Sequence, residues 1–270
     1  MNANKLLLSL SIAASFAATL PAARAATPVT AIEGTAARPT IVLVHGAFAD
    51  SSSWNGVAKA LSAKGYPVLS IANPLRSVAG DAQYAASVLQ SVKGPVVLVG
   101  HSYGGMVISQ AAEGNPEVKA LVYVAALTPE QGETVAGLAG KFPGGTLDAA
   151  LADPVALADG GKELYIRQDK FRQQFAADVA PQQAAFMAAA QRPVTAAALN
   201  EPATGAAWKH LPSYFVYGTA DRNIPLQAAR FMAERAQAKD VVEVKGASHV
   251  VMVSHPDAVA KLIEEAAGNR

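Results

Sequence analysis

An α/β fold built on a mostly parallel sheet is what the sequence predicts, and two features predict it. From Thr40 onward six short runs rich in Val, Ile and Tyr recur: TIVLVHG, YPVLSIA, PVVLVG, ALVYVAA, SYFVYG and DVVEVKG. Between the first of them lie Ala- and Leu-rich segments of helical spacing with Gly or Pro punctuation, such as SWNGVAKALSAKG, DAQYAASVLQSV and GGMVISQAAEG. Continuous apolar strands suit a sheet covered on both faces. Strands that alternate with helices require right-handed crossovers, and hence parallel neighbours.

Composition supports one large domain. The chain has 270 residues, of which 51% are hydrophobic and 16% charged, so a sizeable core is affordable and disorder is excluded. A formal net charge of +1 gives no electrostatic case for nucleic acid or an anionic membrane. The absence of cysteine removes disulfides, thiolate chemistry and Cys-ligated metals together.

The elements follow in order. Residues 1–25 read as a signal peptide and not as fold: Lys5 is basic, LLLSLSIAASFAATL is an apolar core of 15 residues, and Ala23-Arg24-Ala25 fits a small-residue cleavage site. The apolar stretch is short for a membrane span, and a retained anchor is the alternative. Cleavage would remove Lys5 and Arg24 and no acid, taking the formal charge from +1 to −1. The mature protein is then expected to be secreted or periplasmic and free of the membrane.

The sheet domain spans residues 26–127 and 211–270, interrupted by residues 128–210, where no convincing strand is visible. Helical pieces there, GKELYIRQDKFRQQFAADV and PQQAAFMAAAQ, predict an inserted helical cap. Phe142, Tyr165, Phe171, Phe175, Phe186 and Met187 are its candidates for lining an apolar pocket, although some of them must hold the cap together.

The chemistry is concentrated in VVLVGHSYGGMVIS. Gly100-x-Ser102-x-Gly104 lies between an apolar strand and a helix, the context of a nucleophile elbow. The glycines allow a tight turn that lifts the serine above the sheet at a helix N-terminus, where unpaired N–H groups favour negative charge. Such a serine needs a base, and the base an orienting carboxylate. His249 in VKGASHVVMVSHP follows the last strand, and Asp221 in VYGTADRNIP follows the strand before it. Asp221 could instead cap the turn ahead of RNIPLQAARF, with Glu130 the alternative acid. The tetrahedral oxyanion needs donors: the N–H of Tyr103, after the nucleophile, and that of Ala47 in the His-Gly-Ala-Phe loop. His45 should shape that loop, His101 should pack and hydrogen-bond, and Ser51, Ser52 and Ser53 read as loop and N-cap residues. His210 precedes a strand, and His255 sits at a helix start.

TIVLVHGAFADSSSWNGVAKAL, VVLVGHSYGGMV, GTADRNIP and VKGASHVVMVSHPDAVAKLI resemble the α/β-hydrolase fold superfamily. The resemblance is narrower toward plant methylesterases, hydroxynitrile lyases and bacterial esterase relatives, over about residues 40–127 and 211–267. It implies an eight-stranded, mostly parallel sheet, a helical lid over the serine and no cofactor or metal. By motif position it implies Ser102 as nucleophile, Asp221 as acid, His249 as base, and Ala47 and Tyr103 as oxyanion donors. The lyases of this branch, as the resemblance has it, carry threonine right after the loop histidine and lysine right after the catalytic histidine. Gly46 and Val250 stand there instead. An aspartate at the elbow, as in haloalkane dehalogenases and epoxide hydrolases, is replaced by Ser102.

The expectation is therefore a serine hydrolase acting on a small-molecule carboxylic ester, with no nucleic-acid partner and an oligomeric state that the sequence does not specify. An acyltransferase using the same residues, or a hydrolase-fold binding protein with slow turnover, are the alternatives. Intact mass of protein recovered from a secreting host should lack the first 25 residues; a full-length product in the membrane fraction would mean that the segment is an anchor.

Overall fold

The six predicted runs become β1 (Thr40–Val44), β2 (Val68–Ile71), β3 (Val96–His101), β4 (Val118–Val124) and, after an interval, β8 (Ser213–Gly218) and β9 (Asp240–Val244). The interval holds three strands that the sequence did not announce, β5 (Val155–Ala156), β6 (Lys162–Leu164) and β7 (Val194–Thr195). The computed structural model describes residues 38–268, and the expected signal peptide lies outside them. Among the described residues, no helix is long and apolar enough to cross a membrane.

The main sheet has the order β2-β1-β3-β4-β8-β9, and all its pairings are parallel. Six strands stand in it among the described residues, in place of the eight that the resemblance implied. The reason lies in the pattern itself: outside these six runs, the apolar residues between 38 and 268 recur at helical spacing or fall in strands of two or three residues. Every residue of the central strand β3 is buried, as continuous apolar sequence requires, whereas the edge strands β2 and β9 alternate between partly buried and exposed positions, β2 ending on the buried Ile71.

Helices α1 (Asn55–Ala63), α2 (Val78–Ser91) and α3 (Gly104–Ala111) make the first crossovers. Ser77 caps α2, its hydroxyl accepting from the Gly80 N–H at 3.0 Å. Between β4 and β8 come α4 (Val135–Ala139), α5 (Gln168–Phe175), α6 (Pro181–Ala190) and α7 (Ala196–Asn200). After β8 come α8 (Leu226–Arg235), α9 (Val251–Ser254) and α10 (Pro256–Ala266). Pro181 and Pro256 open α6 and α10, at a position where the missing N–H costs nothing.

The inserted segment is thus mixed where helices alone were expected. Lys162–Leu164, inside a stretch expected to be helical, pairs antiparallel with both Val155–Ala156 and Val194–Thr195. Strands this short cannot display an alternation, which hid them from the sequence. The segment belongs to the same compact unit as the sheet.

The chain leaves β1 for β2 on one side and returns to β3 on the other. A crevice at the carboxyl ends of β1 and β3 is the consequence, the place where open parallel sheets bind ligands. The loop from His45 and the turn at Ser102 flank it. Close approach there depends on glycine: a Cβ on Gly104 would lie 2.6 Å from the Val44 carbonyl oxygen, and one on Gly105 would lie 2.1 Å from that of Leu127. Gly105→Ala should therefore destabilise the fold by about 1–3 kcal/mol, the usual cost of overpacking, read as a lower urea midpoint. An unchanged midpoint would show that α3 is not seated this tightly.

Candidate active site

Ser102 sits at the junction of β3 and α3 with φ 53°, a left-handed conformation that is uncommon and strained for a residue with a side chain. Its backbone is held on both sides: the Ser102 N–H donates to Val124 O at 3.3 Å, and its carbonyl accepts from Gly105 N at 2.9 Å and Leu127 N at 3.1 Å. A Cβ on Gly100 would lie 2.7 Å from the Gly104 carbonyl oxygen, so the first glycine of the motif is required by the tightness of the turn. The side chain projects from this turn and remains partly exposed.

Sequence elements 147 residues apart meet there. The Ser102 hydroxyl lies 2.8 Å from His249 Nε2, and His249 Nδ1 lies 2.7 Å from Asp221 Oδ2. An ionised carboxylate only accepts, so Nδ1 carries the ring proton and Nε2 is free to accept from the serine. Asp221 also performs the turn role weighed as its alternative. Its Oδ1 accepts from the Asn223 N–H at 2.7 Å and the Ile224 N–H at 3.0 Å, leaving Oδ2 aimed at the imidazole. Glu130 pairs with Lys209 instead, and takes no part in the arrangement.

His249 is enclosed. Its ring centroid is 5.1 Å from that of Phe175 and 4.8 Å from that of His101. His101 Nε2–H donates to the His249 carbonyl oxygen at 3.1 Å. Burial, and then the proximity of His249, push the His101 pKa well below the ordinary histidine value, so it stays neutral and serves as packing and as a hydrogen-bond donor. His45 shapes the neighbouring loop: its Nδ1–H donates to Gly46 O, its Nε2 accepts from the Asn73 N–H, and the Asn73 amide returns a bond to His45 O, all at 3.0 Å. Burial lowers its pKa too.

The two expected oxyanion donors are available. Neither the Ala47 N–H nor the Tyr103 N–H has an acceptor among the described residues, whereas the next N–H along from Ala47, that of Phe48, donates to Arg192 O at 3.0 Å. The Ala47 loop touches the elbow, since a Cβ on Gly46 would lie 2.7 Å from Ser102 Cβ. Tyr103 is anchored from its far end: its hydroxyl donates to the buried Asp81 at 2.8 Å, which raises the phenol pKa beyond what burial alone does. The arrangement can activate a hydroxyl, store its proton on an imidazole and receive a developing oxyanion on two N–H groups.

The structure sorts the remaining candidates. Phe171 and Phe175 are fully buried and pack on each other, so they hold the insertion together and do not line an open pocket. Phe186, by contrast, is 67% exposed. With Met187, Gln183 and Phe48 it borders a cavity of about 310 Å³ that Ser102 and His249 do not line. Ser51, Ser52 and Ser53 form a short 3-10 turn capped by Asp50, and none of them is itself the cap. His210 precedes β8 and His255 caps α10, as their places in the sequence indicated, and His210 also pairs with Glu113. Gln174, Asp178, Asn223 and Ser248, which hold the residues around Asp221 and His249, were missed. Only Asn223, in the turn sequence Asp-Arg-Asn, carried any signal.

The chain belongs to the alpha/beta hydrolase family, whose pattern matches residues 41–262. Among similar proteins, the pimeloyl-(acyl-carrier protein) methyl ester esterase of Aeromonas hydrophila is 27% identical over 249 residues, covering 85% of this chain and 96% of its own. The alpha-hydroxynitrile lyase of Arabidopsis thaliana is 24% identical over 237 residues, covering 80% and 92% respectively. The crystal structure of polyneuridine aldehyde esterase superposes with a TM-score of 0.73 at 19% identity, covering 84% of this chain and 98% of that one, which shows a shared fold.

A pH dependence of stability follows from the buried imidazoles. His45 and His101 have lowered pKa values in the folded protein, whereas the unfolded chain binds protons near the ordinary value of 6.5. The unfolded state then holds more protons, and stability falls as pH drops below that value. Asp81, its pKa raised by burial, acts oppositely, between its raised value and the ordinary 3.8. The urea midpoint should decrease as pH falls below about 6.5, while both rings take up protons only at lower pH than an ordinary histidine does. A flat midpoint, or free titration of either ring, would contradict their burial as neutral groups.

Proposed function

We propose that the protein is a serine hydrolase of carboxylic esters, acting through an acyl-enzyme on Ser102. The single observation that carries this reading is the hydrogen-bonded chain from Ser102 through His249 to Asp221, with partly exposed Ser102 at its open end. His249 Nε2 takes the proton of Ser102 as Oγ attacks the ester carbonyl. Asp221 stabilises the imidazolium, and the Ala47 and Tyr103 N–H groups bind the oxyanion. The imidazolium returns the proton to the leaving alcohol, and the same base then activates the water that frees the acid. The esterases among the relatives point to small-molecule ester substrates in general.

Two alternatives are less well supported. Acyl transfer to an alcohol needs a site that excludes water, whereas Ser102 is partly exposed. The cyanohydrin lyases of this branch, as the resemblance has it, carry threonine and lysine where Gly46 and Val250 stand. A side chain on Gly46 would lie 2.7 Å from both His101 O and Ser102 Cβ, and Val250 is buried. Export to the periplasm or medium rests on the basic and apolar segments of residues 1–25.

Ser102→Ala should abolish both p-nitrophenyl ester turnover and phosphonate labelling while leaving the circular dichroism spectrum unchanged. His249→Ala should lower kcat on the order of 10⁴-fold, since such residues act as a unit, and Asp221→Asn should also be severe. Turnover that survives Ser102→Ala would sink the reading. A silent Asp221→Asn beside a crippling Glu130→Gln would reassign the acid.

A further inference from the structure

The end of α5 touches the loops that carry Asp221 and His249, and it does so through buried polar groups. Gln174 is buried, and its side-chain N–H groups donate to Asn223 Oδ1 at 2.7 Å and to Arg222 O at 3.0 Å. Its own Oε1 accepts from Thr146 Oγ1 at 2.8 Å, so the amide has partners at both ends. Asn223 is the residue whose backbone N–H holds Asp221 Oδ1. One residue on, the Phe175 ring lies edge-on against the His249 imidazole, 5.1 Å between centroids. Asp178 then accepts a hydrogen bond from the hydroxyl of Ser248, the buried residue immediately before His249. The Ser248 hydroxyl also lies 3.4 Å from Phe175 O. His255 faces the same carboxylate, its Nδ1 at 3.6 Å from Asp178 Oδ2 and 2.9 Å from Ser254 Oγ.

A segment that merely covered a substrate would need apolar side chains facing inward and nothing more. Here an amide, a ring and a carboxylate, spaced within five residues, engage Arg222, Asn223, Ser248 and His249. We propose that Gln174, Phe175 and Asp178 are positioning residues: the inserted segment clamps the acid and base loops together and fixes the hydrogen bond between Asp221 and His249. This rests on the ester-hydrolase reading for its kinetic consequence, but not for its structural one.

The test compares Gln174→Ala, Asp178→Ala, Asp178→Asn and Ser248→Ala in the otherwise complete protein. The first readout is the far-downfield proton resonance of the His249 Nδ1–H bonded to Asp221, which needs no turnover. The second is kcat and KM for p-nitrophenyl acetate. Removing either contact should broaden or shift the resonance and lower kcat by about 10- to 100-fold with KM within about twofold, because a small misplacement of the base suffices. Asp178→Asn keeps an acceptor for Ser248 and should restore much of both signals. Ser248→Ala removes one hydroxyl from the opposite side of the same contact, so it reports even where Asp178→Ala does not fold, and the double variant should be no worse than either single change. Unchanged resonance and kcat in Gln174→Ala and Ser248→Ala would overturn the clamp. So would a loss in Asp178→Asn equal to that in Asp178→Ala. Absence of ester turnover in the unmodified protein, with a resonance that still responds to Gln174→Ala, would overturn the ester reading and support the clamp.

Discussion

A serine held at φ 53° is the constraint on which the rest of the site depends. A left-handed conformation at such a residue costs on the order of 1–3 kcal/mol and persists only where its surroundings over-determine it. Here they do: the Ser102 peptide is bonded to the end of β4 on one side and to the start of α3 and Leu127 on the other. Gly46, Gly100, Gly104 and Gly105 admit these approaches because a Cβ on any of them would come within 2.7 Å of a neighbouring atom. The sheet thus acts as a rigid mount for one hydroxyl.

The parallel topology supplies the partners of that hydroxyl. β1 and β3 are neighbours at the point where the strand order reverses, so the His45 loop and the Ser102 turn open into one crevice. β8 and β9 follow on the far side, and the turns after them carry Asp221 and His249 back toward it. Three sources then fix the imidazole: Asp221 its proton, His101 its main-chain carbonyl and Phe175 its face. One of these comes from the insertion, so the insertion and the sheet contribute to the same chemical group.

The strands were legible because each is a β-branched run bounded by punctuation, and all six runs of the main sheet became strands. Ser102, His249 and Asp221, the proposed nucleophile, base and acid, were legible as candidates because each lies just past such a run, and a strand end is where a parallel sheet presents functional groups. The eight-strand count came from the resemblance and not from the residues, whose own pattern held six. The insertion was the least legible part. Val155–Ala156, Lys162–Leu164 and Val194–Thr195 are too short to show a period, and the burial of Phe171 and Phe175 depends on what α5 packs against. Gln174 and Asp178 look like ordinary polar residues of a surface helix and the loop after it, since only the tertiary fold brings them to Asn223 and Ser248.

The central claim is that Ser102 becomes covalently acylated during turnover, and trapping that species tests it most directly. Protein mixed briefly with excess p-nitrophenyl acetate, quenched in acid and digested, should carry one acetyl group on the peptide containing Ser102, in an amount matching a burst of p-nitrophenol. Steady release of p-nitrophenol with no adduct on that peptide, or an adduct on Ser51, Ser52 or Ser53 instead, would contradict the account.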